Sequence, residues 1–458
     1  MQVRPLRRVL IANRGEIAVR IARACFDEGI ECVAAVSDAD RASLVSRLAN
    51  DTICIGPAPA LESYLNVAAI VGAAILSRCD AIHPGYGFLS ERPALATACA
   101  QHDIRFVGPS AEIIERGGDK VAAREVARSI GIPIGDGSDA IIDVDEAVVV
   151  AHRVGYPVLL KAAAGGGGRG MVQVGAEPEL RDAYLRASTE AAAAFGDGRL
   201  FLERYVANAR HVEVQILADQ YGNVVHLGER DCSCQRRYQK MVEEAPAKIL
   251  PAELRSALCN AAVKLAQALN YLGAGTVEFL VDLDRETFSF LEINTRVQVE
   301  HPVTEMITGI DIVREQLRIA AGKPLSFSQT DVEFVGHAIE CRINAEQPQA
   351  DFLPSPGLIA RWTMPQGAGI RVDTHCFDGY EVGAHYDSML GKLICWGESR
   401  EASVALLSRA LARVQIEGIT TTTDFLKALI DHRDFRIDKI NTRWLEQQFL
   451  PKWLDAAV

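Results

Sequence analysis

The chain has 458 residues, a formal net charge of −12, 49% hydrophobic residues and 24% charged residues. The length predicts two to four domains and the composition is that of a soluble globular enzyme, while the acidic balance argues against a broad nucleic-acid surface. Eleven scattered cysteines without a C-x-x-C pair indicate a reducing cytoplasm, and the sequence shows no signal peptide and no apolar run long enough to span a membrane.

The N-terminal segment predicts a parallel, doubly wound sheet. Residues 9–12 are an apolar strand candidate, residues 17–28 carry apolar side chains at helical spacing, and residues 32–36 are a second strand candidate. Such β-turn-α-β alternation leaves crevices at the strand ends. No G-x-G-x-x-G sequence follows the first strand, so a nicotinamide site is not expected.

The segment HPGYGFLSE, residues 83–91, follows another short strand candidate. It mixes turn residues with His83 and Tyr86, and loops at strand ends often carry function. A structural turn that packs an aromatic side chain explains the same composition equally well. The sequence leaves both interpretations open.

A glycine-rich segment, AAAGGGGRGM at residues 162–171, lies between strand candidates at residues 158–161 and 172–174. Its glycines let several backbone N–H groups converge on an anion. A flexible linker is rarely held between two apolar strands, so a hairpin loop that covers a phosphate is favoured. It is not a Walker A loop, because Gly-Lys-Ser/Thr is missing. The Gly-, Asp- and Ser-rich residues 131–139 indicate a hinge before it.

Three charged features have an ordinary interpretation from the sequence alone. Lys120 precedes a helix candidate, where a lysine usually lies on solvated surface unless a phosphate binds there. The charge-dense residues 229–240 are typical of an exposed loop, and Cys232 and Cys234 within them make a poor metal site. Arg342, in a strand candidate at residues 337–344, is more typical of an ion-pair partner than of a ligand.

A hairpin of two strand candidates, residues 276–282 and 287–293, carries the strongest chemical signal. If the hairpin is centred near Arg285, Glu278 lies opposite Glu292, and alternation puts Asn294 on the same face. Cross-strand neighbours are roughly 5 Å apart, so two carboxylates can share Mg²⁺. A solvated strand edge is the alternative, but apolar neighbours of Glu278 predict a covered strand, where unpaired carboxylates are unfavourable.

Several ordered stretches together resemble one family. They are IANRGEIAVRI, AIHPGYGFLSE, GDK, GYPVLLKA with GGGGRGM, RHVEVQ, ERDCSCQRR-x-QK, EINTRVQVEHPVTEMITG, HAIECRIN and YDSMLGKL. This set is similar to the biotin carboxylase component of biotin-dependent carboxylases, an ATP-grasp family. The resemblance implies an α/β and α+β fold. It has an N-terminal doubly wound (pre-ATP-grasp) domain at residues 1–115, an ATP-grasp linker and glycine-rich lid at 116–206, and a C-terminal mixed α/β domain for metal and bicarbonate at 207–458.

The resemblance also implies residue roles. ATP phosphates are bound by two lysines and covered by four glycines: Lys120, Lys161, Gly165, Gly166, Gly167 and Gly168. The adenosine part lies near Glu203, Arg204, Tyr205, Val206, His211, Gln235 and Tyr238. The ligands of Mg²⁺ (or Mn²⁺) are Glu278, Glu292 and Asn294. Bicarbonate is held by Lys240, Arg296, Gln298 and the backbone of Val299. Residues near biotin are Arg342 and Tyr86.

The implied reaction is ATP-dependent carboxylation of biotin through carboxyphosphate, with Arg296, Glu300 and Lys240 as catalytic residues. Glu300 deprotonates bicarbonate while Lys240 and Arg296 hold the dianion, and Arg296 later stabilises the biotin enolate. The implied partners are a biotin carboxyl carrier protein, a carboxyltransferase subunit and a second copy in a homodimer. No Met-Lys pair of a carrier domain occurs, and little chain follows residue 444, so we expect a separate subunit.

Two positions depart from the family pattern, and two other functions compete. Tyr238 stands where the family usually has His, and Ala164 stands where it usually has another Gly. Tyrosine can donate one hydrogen bond but cannot carry a proton near neutral pH, and the extra methyl group can stiffen the lid. An ATP-grasp ligase that joins a carboxylate to an amine is one alternative, against which the sequence RVQVE at 296–300 argues. A non-catalytic nucleotide-binding regulator is the other.

Overall fold

The computed structural model describes residues 3–141, 143–163 and 171–456. The first part of the chain alternates strands and helices: β1 (Arg8–Ile11), α1 (Gly15–Asp27), β2 (Glu31–Val36), α2 (Leu44–Leu48), β3 (Asp51–Cys54), α3 (Val67–Leu76), β4 (Ala81–His83), α4 (Pro93–Gln101), β5 (Arg105–Phe106) and α5 (Ala111–Gly118). The strands form one sheet in the order β3-β2-β1-β4-β5, and all neighbouring strands are parallel.

Helices cover both faces of this sheet because alternate residues of β1 point to opposite sides. Val9 and Ile11 pack in one apolar cluster with Ile17 of α1. Leu10, between them, packs in a second cluster with Ile70 of α3. The predicted doubly wound sheet is therefore confirmed.

The middle part forms a small antiparallel sheet with two covering helices. Helix α6 (Lys120–Ser129) precedes it, and its own elements are α7 (Val144–Val154), β6 (Val158–Ala162), β7 (Met171–Val174), α8 (Glu177–Phe195) and β8 (Leu200–Arg204). The strand order is β7-β6-β8, and Lys161 pairs with Met171 in the β6–β7 register. The two arms of the predicted glycine hairpin are thus paired. Ala164 and the four glycines Gly165, Gly166, Gly167 and Gly168 lie outside the described residues.

The third part begins with the strands and helices that carry most of the predicted site. They are β9 (Ala209–Ala218), β10 (Val224–Arg236), β11 (Gln239–Ala245), α9 (Ala252–Ala268), β12 (Gly273–Asp282), β13 (Thr287–Asn294), α10 (His301–Thr308), α11 (Ile312–Ala320) and β14 (His337–Asn344). The chain continues through β15 (Glu346–Gln347), β16 (Leu353–Pro354), β17 (Gly357–Leu358), β18 (Arg361–Thr363), β19 (Ile370–Thr374), β20 (Glu381–Val382), β21 (Met389–Gly397), α12 (Arg400–Leu411), β22 (Gln415–Glu417), α13 (Thr423–Asp431), α14 (Arg433–Arg436), a π-helical turn (Leu445–Phe449) and α15 (Leu450–Ala456).

Eight of these strands form an antiparallel sheet in the order β13-β12-β9-β10-β11-β14-β21-β19. Helix α9 packs on β9 and β12 through Leu258 and Leu265, and helices α12 and α13 pack on β14 and β21 through Leu407 and Phe425. The three sheets occupy successive parts of the chain. The domain limits at residues 115/116 and 206/207 stay a prediction.

The charge-dense segment at residues 229–240 is not an exposed loop, so that interpretation was wrong. Residues 229–236 are buried and belong to β10. Their charges are neutralised inside the sheet, where Arg230 pairs with Glu213 at 2.5 Å and Arg210 pairs with Asp231 at 2.9 Å. Buried charges persist when such partners and hydrogen bonds compensate them.

The HPGYGF loop after β4 has the packing role that its composition allows, and it also lies at a cleft, as a functional loop would. Phe88 stacks on Tyr64 with ring centroids 5.0 Å apart, which is a packing role. Tyr86 and Phe88 also line a large cleft.

Among the described residues, no helix is both long and apolar enough to cross a membrane.

Candidate functional site

A cleft of about 1220 Å³ has walls from the loop after β4, from the small middle sheet and from the large antiparallel sheet. Nearly all of the predicted site residues that the structure describes line it: Tyr86, Lys120, Lys161, Glu203, Arg204, Tyr205, Val206, His211, Gln235, Tyr238, Lys240, Glu278, Glu292, Asn294, Arg296, Gln298, Val299 and Arg342. Glu300 is fully buried behind the wall. The structure therefore brings together residues separated by up to 256 positions, from Tyr86 to Arg342.

The hairpin of β12 and β13 has the register that the sequence predicted. Glu278 on β12 is the cross-strand partner of Glu292 on β13, and Thr276 is the partner of Asn294. The register shifts just after Glu278. The Asn294 side-chain amide donates to Glu278 Oε1 at 3.0 Å. The three predicted ligands thus share one wall of the cleft.

These ligands suit Mg²⁺ (or Mn²⁺), because two carboxylates and one amide carbonyl supply the hard oxygen atoms that such cations prefer. A second group, His211, Glu213 and Glu278, has ligand atoms that lie within 4.8 Å of one another. Its two carboxylates are already bridged by the Lys240 ammonium group, at 2.6 and 2.9 Å. That second group is an ion-pair cluster.

Lys240 lies at the centre of the charged wall. Its Nζ atom donates to Glu213 at 2.6 Å, to Glu278 at 2.9 Å and to Glu300 at 2.7 Å. Burial lowers the pKa of Lys240, but the acidic groups of Cys232, Glu213, Glu278 and Glu300 outweigh it and hold that pKa well above its ordinary value. Lys240 is therefore a fixed cation between a predicted metal ligand and the predicted base.

Glu300 precedes α10 as its N-terminal capping residue. One carboxylate oxygen accepts from Lys240, and the other accepts from Arg342 Nη2 at 2.8 Å. Burial raises the pKa of Glu300, but Lys240, Arg342 and Arg230 together hold it well below its ordinary value. The side chain is therefore an ionised carboxylate, as a base must be.

Arg342 is the ion-pair partner that its strand position indicated. Its guanidinium group contacts Glu243 at 2.6 Å in addition to Glu300. Both partners are fully buried.

Arg296 is held rigidly by three side-chain acceptors. Its Nε atom donates to Glu91 at 2.8 Å, its Nη1 atom to Gln298 at 2.8 Å, and its Nη2 atom to Asn294 at 3.0 Å. Glu91 was not among the predicted site residues, although it ends the HPGYGFLSE segment. That position at the end of a functional loop was the signal that could have identified it.

Two further lysines that line the cleft, Lys120 and Lys161, also contact carboxylates. Lys161 and Arg124 both contact Glu203. Burial raises the pKa of Glu203, but these two cations lower it to about 2. Lys120, the first residue of α6, contacts Glu292 at 3.0 Å. Arg124 is a further site residue that the sequence did not reveal.

Tyr86 and Val299 are tied together by a buried relay. The Tyr86 hydroxyl group donates to Glu16, which pairs with Lys392 at 3.0 Å. Lys392 in turn donates to the Val299 carbonyl oxygen at 2.7 Å. Glu16 and Lys392 were not predicted. Glu16 lies in the IANRGE stretch and Lys392 in the YDSMLGKL stretch. These stretches are far apart along the chain, so the sequence alone does not show that the two residues pair.

Three family models match consecutive parts of the chain. Residues 5–114 match the N-terminal domain of biotin carboxylase, and residues 340–447 match the C-terminal domain of biotin carboxylase. Residues 119–328 match the ATP-binding domain of the carbamoyl-phosphate synthase L chain. The central domain is thus shared with another ATP-grasp enzyme, and the flanking domains specify biotin carboxylase.

Whole proteins of the same family match over almost the full chain. Biotin carboxylase 1 of Bacillus subtilis is 50% identical over 442 residues, which cover 96% of this chain and 98% of that protein. Biotin carboxylase of Haemophilus influenzae is 48% identical over 445 residues, which cover 97% and 99%.

Solved structures agree with the fold and with its ligands. A biotin carboxylase–βγ-ATP complex from Campylobacter jejuni has a TM-score of 0.94 and 47% identity, covering 97% of this chain and 99% of that chain. The biotin carboxylase domain dimer of the Hydrogenobacter thermophilus 2-oxoglutarate carboxylase, in complex with MgADP, ADP and bicarbonate, has a TM-score of 0.93 and 46% identity, covering 99% of each chain. The chain therefore belongs to the biotin carboxylase family, and it is an ATP-grasp enzyme that carboxylates biotin with ATP and Mg²⁺ as cofactors.

Proposed function

We propose that this chain performs the first half-reaction of an acyl-CoA or related carboxylase, in which bicarbonate and ATP carboxylate biotin on a carrier protein. One observation carries the assignment of residues. Lys240 lies 2.9 Å from the metal-ligand candidate Glu278 and 2.7 Å from the base candidate Glu300. A fixed cation at that position can hold an anionic substrate between the metal and the base.

The proposed chemistry begins with bicarbonate, a weak nucleophile. Glu300 accepts its proton, and Lys240 and Arg296 neutralise the dianion that results. When bicarbonate draws Lys240 toward itself, the carboxylate of Glu300 loses one of its two cationic partners and becomes a stronger base. The three side-chain acceptors around Arg296 keep its position fixed, as stabilisation of the biotin enolate requires.

ATP is proposed to bind along the lysine-rich part of the cleft. Lys120 and Lys161 exchange their carboxylate partners for phosphate oxygens, and Gly165–Gly168 are proposed to close over those phosphates. The bound Mg²⁺, held by Glu278, Glu292 and Asn294, supplies neutralisation of phosphate charge. Leu159, Met171 and Leu280 also line the cleft and offer apolar surface against which the adenine ring can lie.

We further propose three protein partners. A carrier protein displays biotin, a carboxyltransferase subunit uses the carboxybiotin, and a second copy of the chain completes a homodimer. The solved relative from Hydrogenobacter thermophilus is a domain dimer. The chain is also 41% identical to the Rhizobium etli pyruvate carboxylase, with a TM-score of 0.93, and it covers 41% of the length of that protein. Within the printed sequence no Met-Lys pair offers a biotinylation site.

The proposal is tested by ATP hydrolysis with and without bicarbonate and free biotin. We expect hydrolysis that requires Mg²⁺ and bicarbonate and that biotin stimulates. Equal hydrolysis in carefully bicarbonate-free buffer contradicts it. An amine-dependent hydrolysis would instead support a carboxylate–amine ligase.

The carrier partner needs a separate test. The chain is expressed with a biotin ligase and its intact mass is measured. We expect no added biotin on this chain and faster turnover with a biotinylated carrier domain than with free biotin, because a protein-bound substrate adds docking contacts. A covalent biotin on this chain contradicts the proposed separate carrier.

A further inference from the structure

Arg443 lies in the cleft wall between two tyrosine rings. Its guanidinium carbon is 5.5 Å from the ring centroid of Tyr205 and 5.3 Å from that of Tyr238. Its Nη2 atom donates to the Tyr238 hydroxyl oxygen at 3.0 Å. All three residues line the cleft. Arginine held over aromatic faces in this way is attracted by the ring quadrupoles and keeps its plane fixed.

The backbone presents Tyr238 to Arg443 at a conformational cost. Arg237 and Tyr238 form the turn between β10 and β11, and both have positive φ angles, 48° and 63°. Bulky residues rarely adopt this region, which two-residue hairpin turns usually fill with Asn or Gly. The Arg237 side chain pairs with Asp351 at 3.0 Å, and its backbone N–H donates to Glu446 at 3.1 Å. These contacts hold the turn independently of the Tyr238 side chain.

Most N–H donors of the Arg443 guanidinium group have no acceptor among the described residues. Among the residues that the structure describes, no carboxylate lies within ion-pairing distance of its guanidinium group, and Tyr238 is the single acceptor recorded for that group. A guanidinium group has five N–H donors, and one half-buried in a cleft wall needs further acceptors. The ligand in the cleft can supply them.

The position of Arg443 indicates which part of a ligand it meets. Tyr205 belongs to the segment that follows β8, next to Glu203, and Gln235 and Tyr238 lie on the β10–β11 hairpin. The apolar side chains of Leu159, Met171 and Leu280 line the same cleft, and Leu159 is the cross-strand partner of Glu203. A nucleotide whose base lies on these apolar side chains places its sugar hydroxyl groups against such polar neighbours, while its phosphates extend to the lysines.

We propose that Arg443 recognises the ribose hydroxyl groups of the nucleotide and that Tyr205 and Tyr238 position its guanidinium group for this contact. The inference rests on the proposed nucleotide binding in the cleft. The Tyr238 hydroxyl group accepts from Arg443 and keeps its own hydrogen for a ribose oxygen. This arrangement gives the tyrosine at position 238 a role that does not depend on carrying a proton.

The test compares the binding of ADP, 2′-deoxy-ADP and 3′-deoxy-ADP by titration calorimetry, which needs no turnover. We expect the parent protein to bind ADP about tenfold more tightly than at least one deoxy analogue, the range for a lost hydrogen bond to a charged group. Arg443→Met should weaken ADP by a similar factor and lose most of the preference for ADP over the deoxy analogues. Tyr238→Phe, which keeps the ring, should reduce the preference for ADP. Tyr221→Phe, whose hydroxyl group bonds to the Gly322 carbonyl oxygen outside the cleft, is the matched control and should keep it.

Two results overturn the inference: a parent protein with no preference for ADP, or variants that weaken all three nucleotides by one common factor. The second result would indicate a structural role alone. If Arg443→Met fails to fold, Tyr238→Phe decides between the same outcomes. Bicarbonate-dependent hydrolysis is measured in parallel. Its absence in a protein that still prefers ADP contradicts the proposed function and leaves the role of Arg443 supported.

Discussion

Lys240 and Glu300 form a buried pair whose charges depend on each other. Lys240 is surrounded by three carboxylates, and Glu300 is shared between Lys240 and Arg342. Neither charge would be stable alone in this position, because a buried ion without a partner is strongly unfavourable. The pair is therefore ionised before any substrate arrives, and the site needs no proton uptake to bind an anion.

Glu300→Gln separates the base from the binding residues. Glutamine keeps the shape of the side chain but removes its basicity, so we expect turnover to fall by roughly 10²-fold or more with little change in nucleotide affinity. Turnover is measured as bicarbonate-dependent hydrolysis and affinity by calorimetry. Glu398→Gln, at an exposed position, is the control and should behave as the parent does. A loss of affinity that equals the loss of turnover would contradict the base assignment.

Lys161→Gln should give the opposite pattern. Lys161 contacts Glu203 and lines the lysine-rich part of the cleft, so its loss removes a charge partner for phosphate. We expect ADP affinity to fall by about tenfold, the range for a charge-assisted hydrogen bond. Calorimetric titration measures this change. Unchanged ADP affinity with slow hydrolysis would assign Lys161 to the chemical step instead.

At the scale of elements, α10 joins the N-terminal sheet to the large sheet. Glu305 on α10 contacts Arg20 of α1 at 3.0 Å and Arg371 of β19 at 2.7 Å. Burial raises the pKa of Glu305, but the two arginines lower it from 4.5 to about 2. A carboxylate with a lowered pKa stabilises the folded state above the unfolded pKa, and that contribution is lost as the pH falls.

Glu305→Gln should therefore destabilise the protein by about 3 kcal/mol at pH 7, which corresponds to the shift of the pKa. The difference from the parent should shrink as the pH falls from 4.5 toward 2. Urea unfolding at pH 7 and at pH 3 measures it. Glu190→Gln, at an exposed position on α8, is the control and should change stability little at either pH. A constant difference between Glu305→Gln and the parent at all pH values would contradict the ion-pair explanation.

The elements differ in how far the sequence predicts them. The Glu278–Glu292 register follows from a short turn and two apolar strands, so local pattern was sufficient. Strand β10 was missed at residues 229–236 because its charges are compensated by residues of β9, which local composition does not show. Glu91 lies 205 residues from Arg296, and Arg20 lies 285 residues from Glu305, so both contacts depend on the packing of sheets.

At the scale of the whole molecule, ligands should stabilise the assembled cleft. A ligand that binds the folded chain and not the unfolded chain raises the free energy of unfolding by about 2.7 kcal/mol at a concentration of 100 times its Kd. We therefore expect ADP with Mg²⁺ to raise the Tm, and removal of Mg²⁺ by EDTA to reduce that increase. Thermal unfolding with each combination measures it. Glu278→Gln should lose the part that depends on Mg²⁺, and an increase that is the same with and without Mg²⁺ would contradict the metal assignment.

The bond between Glu91 and Arg296 has a consequence for how such a protein can be rebuilt. The residue proposed to stabilise the enolate is oriented by a loop next to the parallel sheet, and Glu91 in that loop is neither the proposed base nor a proposed metal ligand. If the first hundred residues were replaced by those of a relative, the orientation of Arg296 would therefore change unless the incoming loop ends in the same carboxylate. The three sheets occupy separate parts of the sequence, but the site depends on contacts between them. A chimaera therefore has to preserve the contacts that join one part of the chain to another.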